Sequence, residues 1–187
     1  MNEARPRGVA ATLKPCCTRS LVALALASVL VGCATLPPPP ASALSGRIAV
    51  RVDAHGEQPA RGFSAGFDLQ GGAGAGELRL ASPLGTLLAS ARWSGAGAWL
   101  VTPEGETAYA DLDALSRAAL GEVLPLRALP DWLHGRPWDG APSRRVETGF
   151  EQLGWRIALA GLAAGRVEAV RLDPLPAVTV RAALERP

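Results

Sequence analysis

The stretch Arg47-Ile48-Ala49-Val50-Arg51-Val52-Asp53 alternates apolar with polar or small side chains. That period of two puts Ile48, Val50 and Val52 on one face of an extended chain and Arg47 and Arg51 on the other, which is the pattern of a strand buried on one side. The same period recurs downstream. Phe63, Ala65, Phe67 and Leu69 form a second stripe, Leu78 and Leu80 a third, and Leu87, Ala89, Ala91 and Trp93 a fourth. The stretches Ala54 to Pro59, Gly71 to Gly76 and Gly95-Ala96-Gly97 supply turn residues between them. Shorter strands are expected at Trp99 to Thr102, Glu106 to Ala110, Trp155 to Leu159, Arg166 to Leu172 and Val178 to Arg181.

Two helical segments interrupt this meander. Asp111 is placed to cap a helix reaching Leu120, with Leu112, Leu115 and Ala119 on one face and Gly121 as terminator. A second helical stretch runs from Leu126 to His134, and Pro130, tolerated only in a first turn, splits it into a broken pair. Many antiparallel strands with a few amphipathic helices predict a mainly β fold of the α+β class. Its curved antiparallel sheet is closed over by helices, and the space between sheet and helices is the natural ligand site.

At the front of the chain, Arg5, Arg7, Lys14 and Arg19 precede an apolar and small-residue run from Leu21 to Val31. This is the layout of an export signal over residues 1–32 and not part of the fold. The run is shorter than the roughly 20 apolar residues that span a bilayer. Leu30-Val31-Gly32-Cys33 resemble the bacterial lipobox, in which a thiolate takes up a diacylglyceryl group and the freed amine is then acylated. Cys33 is therefore expected to be the lipidated first residue, with Cys16 and Cys17 discarded. The diacylglyceryl and N-acyl groups on Cys33 are the only non-protein groups expected, and no cofactor is. Ala34, standing where an aspartate commonly retains such proteins at the inner membrane, favours the outer membrane. Residues 33–43, with Pro37 to Pro40, read as a stiff tether, and residues 44–187 as a single domain.

Without residues 1–32 the chain has 155 residues, enough for one domain with a sizeable core. It carries fifteen basic against sixteen acidic residues and no lysine after Lys14, so the electrostatic footprint of a nucleic-acid binder is missing. With Cys33 as the sole cysteine, neither an internal disulfide nor a cysteine metal cluster can form. His55 and His134 lie far apart in sequence without cysteine partners, so no metal site is expected.

Gly62-Phe63-Ser64-Ala65-Gly66 matches the nucleophile-elbow spacing, and His134 with Asp111 or Asp131 follows in an order suited to a serine esterase. An elbow must join a strand to a helix, whereas here the apolar alternation runs straight through Ser64. Gly71 to Gly76 has neither the dinucleotide spacing nor a following lysine, and reads as a flexible hairpin loop. Arg144-Arg145 reads as a small surface patch, with contact to an acidic carrier surface or lipid headgroups as the alternative.

Several pieces, taken in order, carry a resemblance: Gly46-Arg47-Ile48-Ala49-Val50, Ser82-Pro83-Leu84-Gly85-Thr86, Tyr109-Ala110-Asp111, Leu124-Pro125-Leu126, and Leu129 through Pro137. Behind a lipobox, this combination resembles the LolB family of outer-membrane lipoprotein receptors in the lipoprotein-localisation pathway. The resemblance implies an incomplete β-barrel with a helical lid and a hydrophobic cavity for acyl chains. It implies a monomer that is lipid-anchored in the outer membrane and faces the periplasm. Its partners would be a LolA-like periplasmic carrier, lipoprotein cargo bound by its acyl chains, and outer-membrane lipid. It also implies a protruding membrane-insertion loop, which by motif is Pro83, Leu84 and Gly85. The stripes then nominate Ile48, Val50, Phe63, Phe67, Leu78, Leu80, Leu87 and Trp93 as cavity wall, and Trp132 and Leu133 as lid. An anchored binding module for another hydrophobic ligand, such as a free fatty acid, is the rival reading.

Overall fold

The computed structural model describes residues 43–185. Its strands are β1 (Leu44–Val52), β2 (Arg61–Gly71), β3 (Gly76–Ala81), β4 (Leu87–Ser94), β5 (Gly97–Thr102), β6 (Gly105–Tyr109), β7 (Ser143–Val146), β8 (Gly149–Gln152), β9 (Trp155–Ala158), β10 (Arg166–Arg171) and β11 (Val178–Leu184). Two helices, α1 (Leu112–Leu120) and α2 (Leu129–Leu133), lie between β6 and β7. No helix among the described residues is long and apolar enough to cross a membrane.

The eleven strands form one sheet in the order β6-β5-β4-β3-β2-β1-β11-β10-β9-β8-β7. Every neighbouring pair is antiparallel. Strands β6 and β7 are the two edges and do not pair, so the sheet is not closed into a barrel. Laid flat, eleven strands about 4.8 Å apart would be roughly 50 Å wide. Yet residues from β1 to β5 and from β8 to β11 share one buried apolar cluster. Only a curled sheet brings them together.

The alternation in β1 sets the pattern, since Ile48, Val50 and Val52 are buried while Arg47 and Arg51 are exposed. Ala65, Phe67 and Leu69 in β2 and Ala91 and Trp93 in β4 continue the inner face. Strands β10 and β11 complete it with Val167, Ala169, Val178, Val180 and Ala182. Helix α1 starts where expected: the Asp111 carboxylate accepts from the Ala114 amide at 2.7 Å, and Gly121 ends the helix at φ 74°.

The structure adds one hairpin to the expected elements and corrects two others. Strands β7 and β8 had no signal, because β7 is Ser143-Arg144-Arg145-Val146 and its first three residues are exposed, leaving no apolar alternation to read. On α1 the third inward position belongs to Ser116 rather than the exposed Ala119. The returning chain docks there: Ser116 Oγ donates to the Asp113 carbonyl and accepts from the Leu124 amide. The broken helical pair is a hydrogen-bonded turn, with the Ala128 amide donating to Pro125 O, followed by the single short helix α2. The glycine stretch is the expected hairpin between β2 and β3, in which Gly72 donates to Ala75 O and receives the Trp93 indole N–H on its own carbonyl at 2.8 Å. The export signal, Cys33 and most of the tether lie outside the described residues.

The seam between β1 and β11 is tight enough to require glycine. A Cβ on Gly46 would stand 2.1 Å from the Ala183 carbonyl oxygen. Gly46→Ala should therefore lower the unfolding free energy by about 1–3 kcal/mol. Urea titration should register this as an earlier midpoint at unchanged slope.

Candidate functional site

The segment 111–142 leaves edge β6 and arrives at edge β7, so it spans the opening that the sheet leaves. Its apolar side chains Leu112, Leu115, Leu124, Leu126, Leu129, Trp132 and Leu133 are buried in the same cluster as the inner face of the sheet. It is a lid over the concave side, held by burial of apolar surface and by a belt of polar and aromatic contacts.

The belt begins at Gln152, at the end of β8. Its Oε1 accepts from the Trp132 indole at 2.8 Å and the Trp138 amide at 2.9 Å, while Nε2 donates to the carbonyls of Trp138 and Ala141, both at 2.7 Å. All the hydrogen-bonding capacity of this buried amide is used on the lid. The Trp132 ring lies 6.2 Å from that of Trp155, and the Arg171 guanidinium sits 5.8 Å from the Trp155 centroid. Arg171 then pairs with Glu122 at 2.7 Å, and bonds the carbonyls of Val123 and Pro176. Its Nε, although buried, has no partner. Gln152, Trp132, Trp155, Arg171 and Glu122 thus link β8, β9 and β10 to both ends of the lid.

Beneath the lid lies an apolar void of about 30 Å³, lined by Ile48, Leu124, Pro125, Leu126, Leu129, Trp132, Trp155, Ala169 and Val180. That is the space of roughly one water molecule. Of the nominated wall residues, Ile48 and Trp132 line it. Val50, Phe67, Leu78, Trp93 and Leu133 are buried in the surrounding cluster, with Phe63 and Leu80 packed against it. Leu87 stands outside that cluster, at the start of β4. Sequence reasoning missed Trp155, Ala169 and Val180 as wall, although the alternation of β10 and β11 carries the signal for the last two. Larger hollows of about 460 and 700 Å³ are open grooves edged by charged residues such as Arg47, Glu168 and Arg181, or Arg144, Glu151 and Arg156.

The loop between β3 and β4 holds Leu84 out in solvent at 94 % exposure. Ser82 organises it: its hydroxyl accepts from the amides of Leu84 and Thr86, and its carbonyl accepts from Gly85 at 2.9 Å. Gly85 takes φ 82°, which suits glycine and lets the chain reverse just after the leucine. Pro83 and Gly85 are exposed as well, so all three nominated loop residues form one projecting tip.

A family model described as outer membrane lipoprotein LolB matches residues 41–172. A protein of Bordetella petrii named outer-membrane lipoprotein LolB is 32% identical over 187 aligned positions, covering 90% of this chain and 93% of that protein. Proteins of the same name from Bordetella pertussis and Chromobacterium violaceum are 35% and 31% identical, over 72% and 74% of this chain and 74% and 81% of theirs. The chain belongs to the LolB family. It is a lipid-anchored outer-membrane lipoprotein that faces the periplasm.

The residues of the esterase pattern have other places or partners in this LolB fold. Ser64 is exposed in the middle of β2, opposite Ala49, with no strand-to-helix elbow. The His134 ring nitrogen Nδ1 is engaged with the Pro130 carbonyl at 2.7 Å, Asp131 holds Arg136, and Asp111 caps α1. No cluster of three metal-ligating side chains occurs among the described residues. Arg144 pairs with Glu151 across the β7–β8 hairpin. Arg156 first, and then Arg144, hold the Glu151 carboxyl below its usual 4.5. This stabilisation is present above the unfolded carboxylate pKa and is lost as the pH falls through the lowered folded value.

The belt makes its own test. Arg171→Ala removes the nearer of the two arginines beside the largely buried Glu122 carboxylate, leaving Arg61 at 3.7 Å, and should cost about 1–3 kcal/mol in urea unfolding, whereas the paired change of Arg171 and Glu122 to methionine should come closer to the parent. Gln152→Leu leaves the Trp132 indole N–H and three lid backbone groups without their partner. It should expose lid amides to faster hydrogen exchange while those of the β1–β2 pair stay protected.

Proposed function

We propose that this domain receives lipoproteins from a LolA-like periplasmic carrier by taking their acyl chains beneath the lid, and then inserts them into the outer membrane without catalysing a reaction. The observation that carries the reading is the apolar inner face of an unclosed sheet, covered by a separate segment that polar contacts fasten along one belt. Lipidated Cys33 anchors the receptor itself.

The void of about 30 Å³ beneath the lid is far smaller than an acyl chain, so in this reading cargo enters as the lid lifts. Lifting exposes apolar wall that the acyl chains then cover, so cargo and lid compete for one surface. The apparent affinity for cargo is the affinity of the open form scaled by the fraction open. This gives the direction of transfer a simple basis. A lid slightly easier to lift than the carrier's own closure, by about 1.4 kcal/mol, biases cargo tenfold toward the receptor without a nucleotide. Insertion into the bilayer then drains the loaded complex.

Leu84 supplies the outgoing step. Burying this exposed leucine in lipid is worth about 1.5–3 kcal/mol, available only at the membrane. Leu84→Glu should accept cargo from the carrier at the parental level but release it into vesicles at least tenfold more slowly. Both steps can be read by following labelled lipoprotein through affinity capture and flotation.

The reading as a whole is tested by mixing carrier loaded with a labelled lipoprotein and the purified receptor, then separating the two proteins. Cargo is expected on the receptor. Cargo that stays with the carrier, while free fatty acid binds the receptor, would instead identify a binding module for another apolar ligand.

A further inference from the structure

Leu84 is not the only large apolar side chain left in solvent. Leu172 is 65% exposed, Leu175 60% and Leu153 46%. Leu153 occupies the β8–β9 turn, and Leu172 and Leu175 the β10–β11 loop. The two loops touch, since a Cβ on Gly154 would lie 3.9 Å from the Asp173 carbonyl oxygen. The leucines therefore form one patch on neighbouring hairpins.

The backbone holds Leu153 there against its own preference. At φ 55° it is the one non-glycine residue with positive φ among the described residues, and Gly154 follows at 78°. Two successive left-handed residues make a tight hairpin turn whose first position favours Asn, Asp or Gly. A branched apolar residue at such a position, turned into water, gains nothing from the fold around it.

Topology says what it faces. In an antiparallel meander the loops leaving β1, β3, β5, β8 and β10 emerge from one rim, so this patch shares a rim with the Leu84 loop. Strands β3 and β11 are three steps apart in the sheet, about 14 Å. The chain enters β1 at the opposite rim, with Leu44 eleven residues after Cys33. Eleven residues reach at most about 40 Å, more than the roughly 30 Å length of β1, so the anchor permits the leucine rim to meet the bilayer.

The patch also stands at the mouth of the lid. A groove of about 490 Å³ is lined by Asp111, Val123 and Ala128 of the lid, by Leu153 and Asp173 of the two loops, and by Trp155 and Arg171 of the belt. Trp155 lines both this groove and the inner void. Leu172 directly follows Arg171, the residue that grips the lid through Glu122.

We propose that Leu153, Leu172 and Leu175 form a second membrane contact, which seats this mouth against outer-membrane lipid beside the Leu84 loop. The occupant is the bilayer, because the protein is anchored there and the leucines stand on loop tips of the rim that carries Leu84. The neighbouring cations Arg144 and Arg156 share the single carboxylate of Glu151, which leaves one positive charge beside the leucines, so the contact is mainly apolar with a minor, salt-screened attraction to anionic headgroups. This rests on the insertion reading given above, and places the exit for acyl chains between the two contacts.

The test uses the full lipidated protein in vesicles of phosphatidylethanolamine and phosphatidylglycerol, with single cysteines at positions 84, 172, 175 and 147 carrying bimane. Glu147, in the β7–β8 turn, reports the opposite rim. Brominated acyl chains should quench positions 84, 172 and 175 and spare 147, and high salt should leave most of that quenching in place. The double variant Leu172→Ser, Leu175→Ser should accept cargo normally and insert it about tenfold more slowly or worse. Quenching at 84 but not at 172 and 175 would overturn the second contact and leave the insertion reading intact. No quenching at any of the three would defeat both. Protection of 172 and 175 by carrier and not by lipid would assign the patch to carrier docking and overturn the proposal.

Discussion

A curled sheet with two unpaired edges cannot bury its own inner face, and this constraint governs the molecule. The apolar stripes of nine strands converge on one side and need a cover. Among the described residues, the one segment between strands long enough to provide it is the one that connects the edges. Its leucines and tryptophans are core residues by burial and lid residues by connectivity. Whatever lifts the lid uncovers the core, so stability and access to the interior draw on the same contacts.

The distribution of polar contacts follows from that tension. Apolar burial alone would seat the lid without registering it, because hydrophobic contact is non-directional. Gln152 and Arg171 add direction, one through a saturated amide and the other through an ion pair with a cation over Trp155. Charged and amide groups of this kind are weak sources of net stability, but they fix which arrangement forms. The unpartnered Nε of Arg171 leaves that end of the belt incompletely satisfied.

Much of this was legible in the residues, and the reasons for the rest are specific. Ile48, Val50 and Val52 declare their strand because outward arginines flank inward aliphatics. Asp111 and Gly121 declare both ends of α1 because capping is local chemistry. The β7–β8 hairpin was invisible, since Arg144 and Arg145 on an exposed edge carry no apolar alternation. Arg171 drew no reading of its own within the strand expected from Arg166 to Leu172, yet the period that buries Val167 and Ala169 carries it inward too. A charge in an apolar register is the clue that went unused. The pattern marked the wall but not how full the interior is, because an inward stripe is the same sequence whether it meets a void or a neighbour. Leu84 could be placed because a proline and a glycine frame it, whereas Leu153 sits at a turn position that its residue type argues against.

The pairing of β1 with β11 has a bearing on how such a protein leaves the cytoplasm. Gly46 faces Leu184 across that seam, so the central ladder of the sheet joins the first strand to the last. A chain threaded across the inner membrane from its front end delivers β1 long before β11. Until the final residues cross, β1 has only β2 beside it. Contacts so distant along the sequence form slowly. A sheet whose central ladder joins its first strand to its last is thus complete only once the whole chain is available.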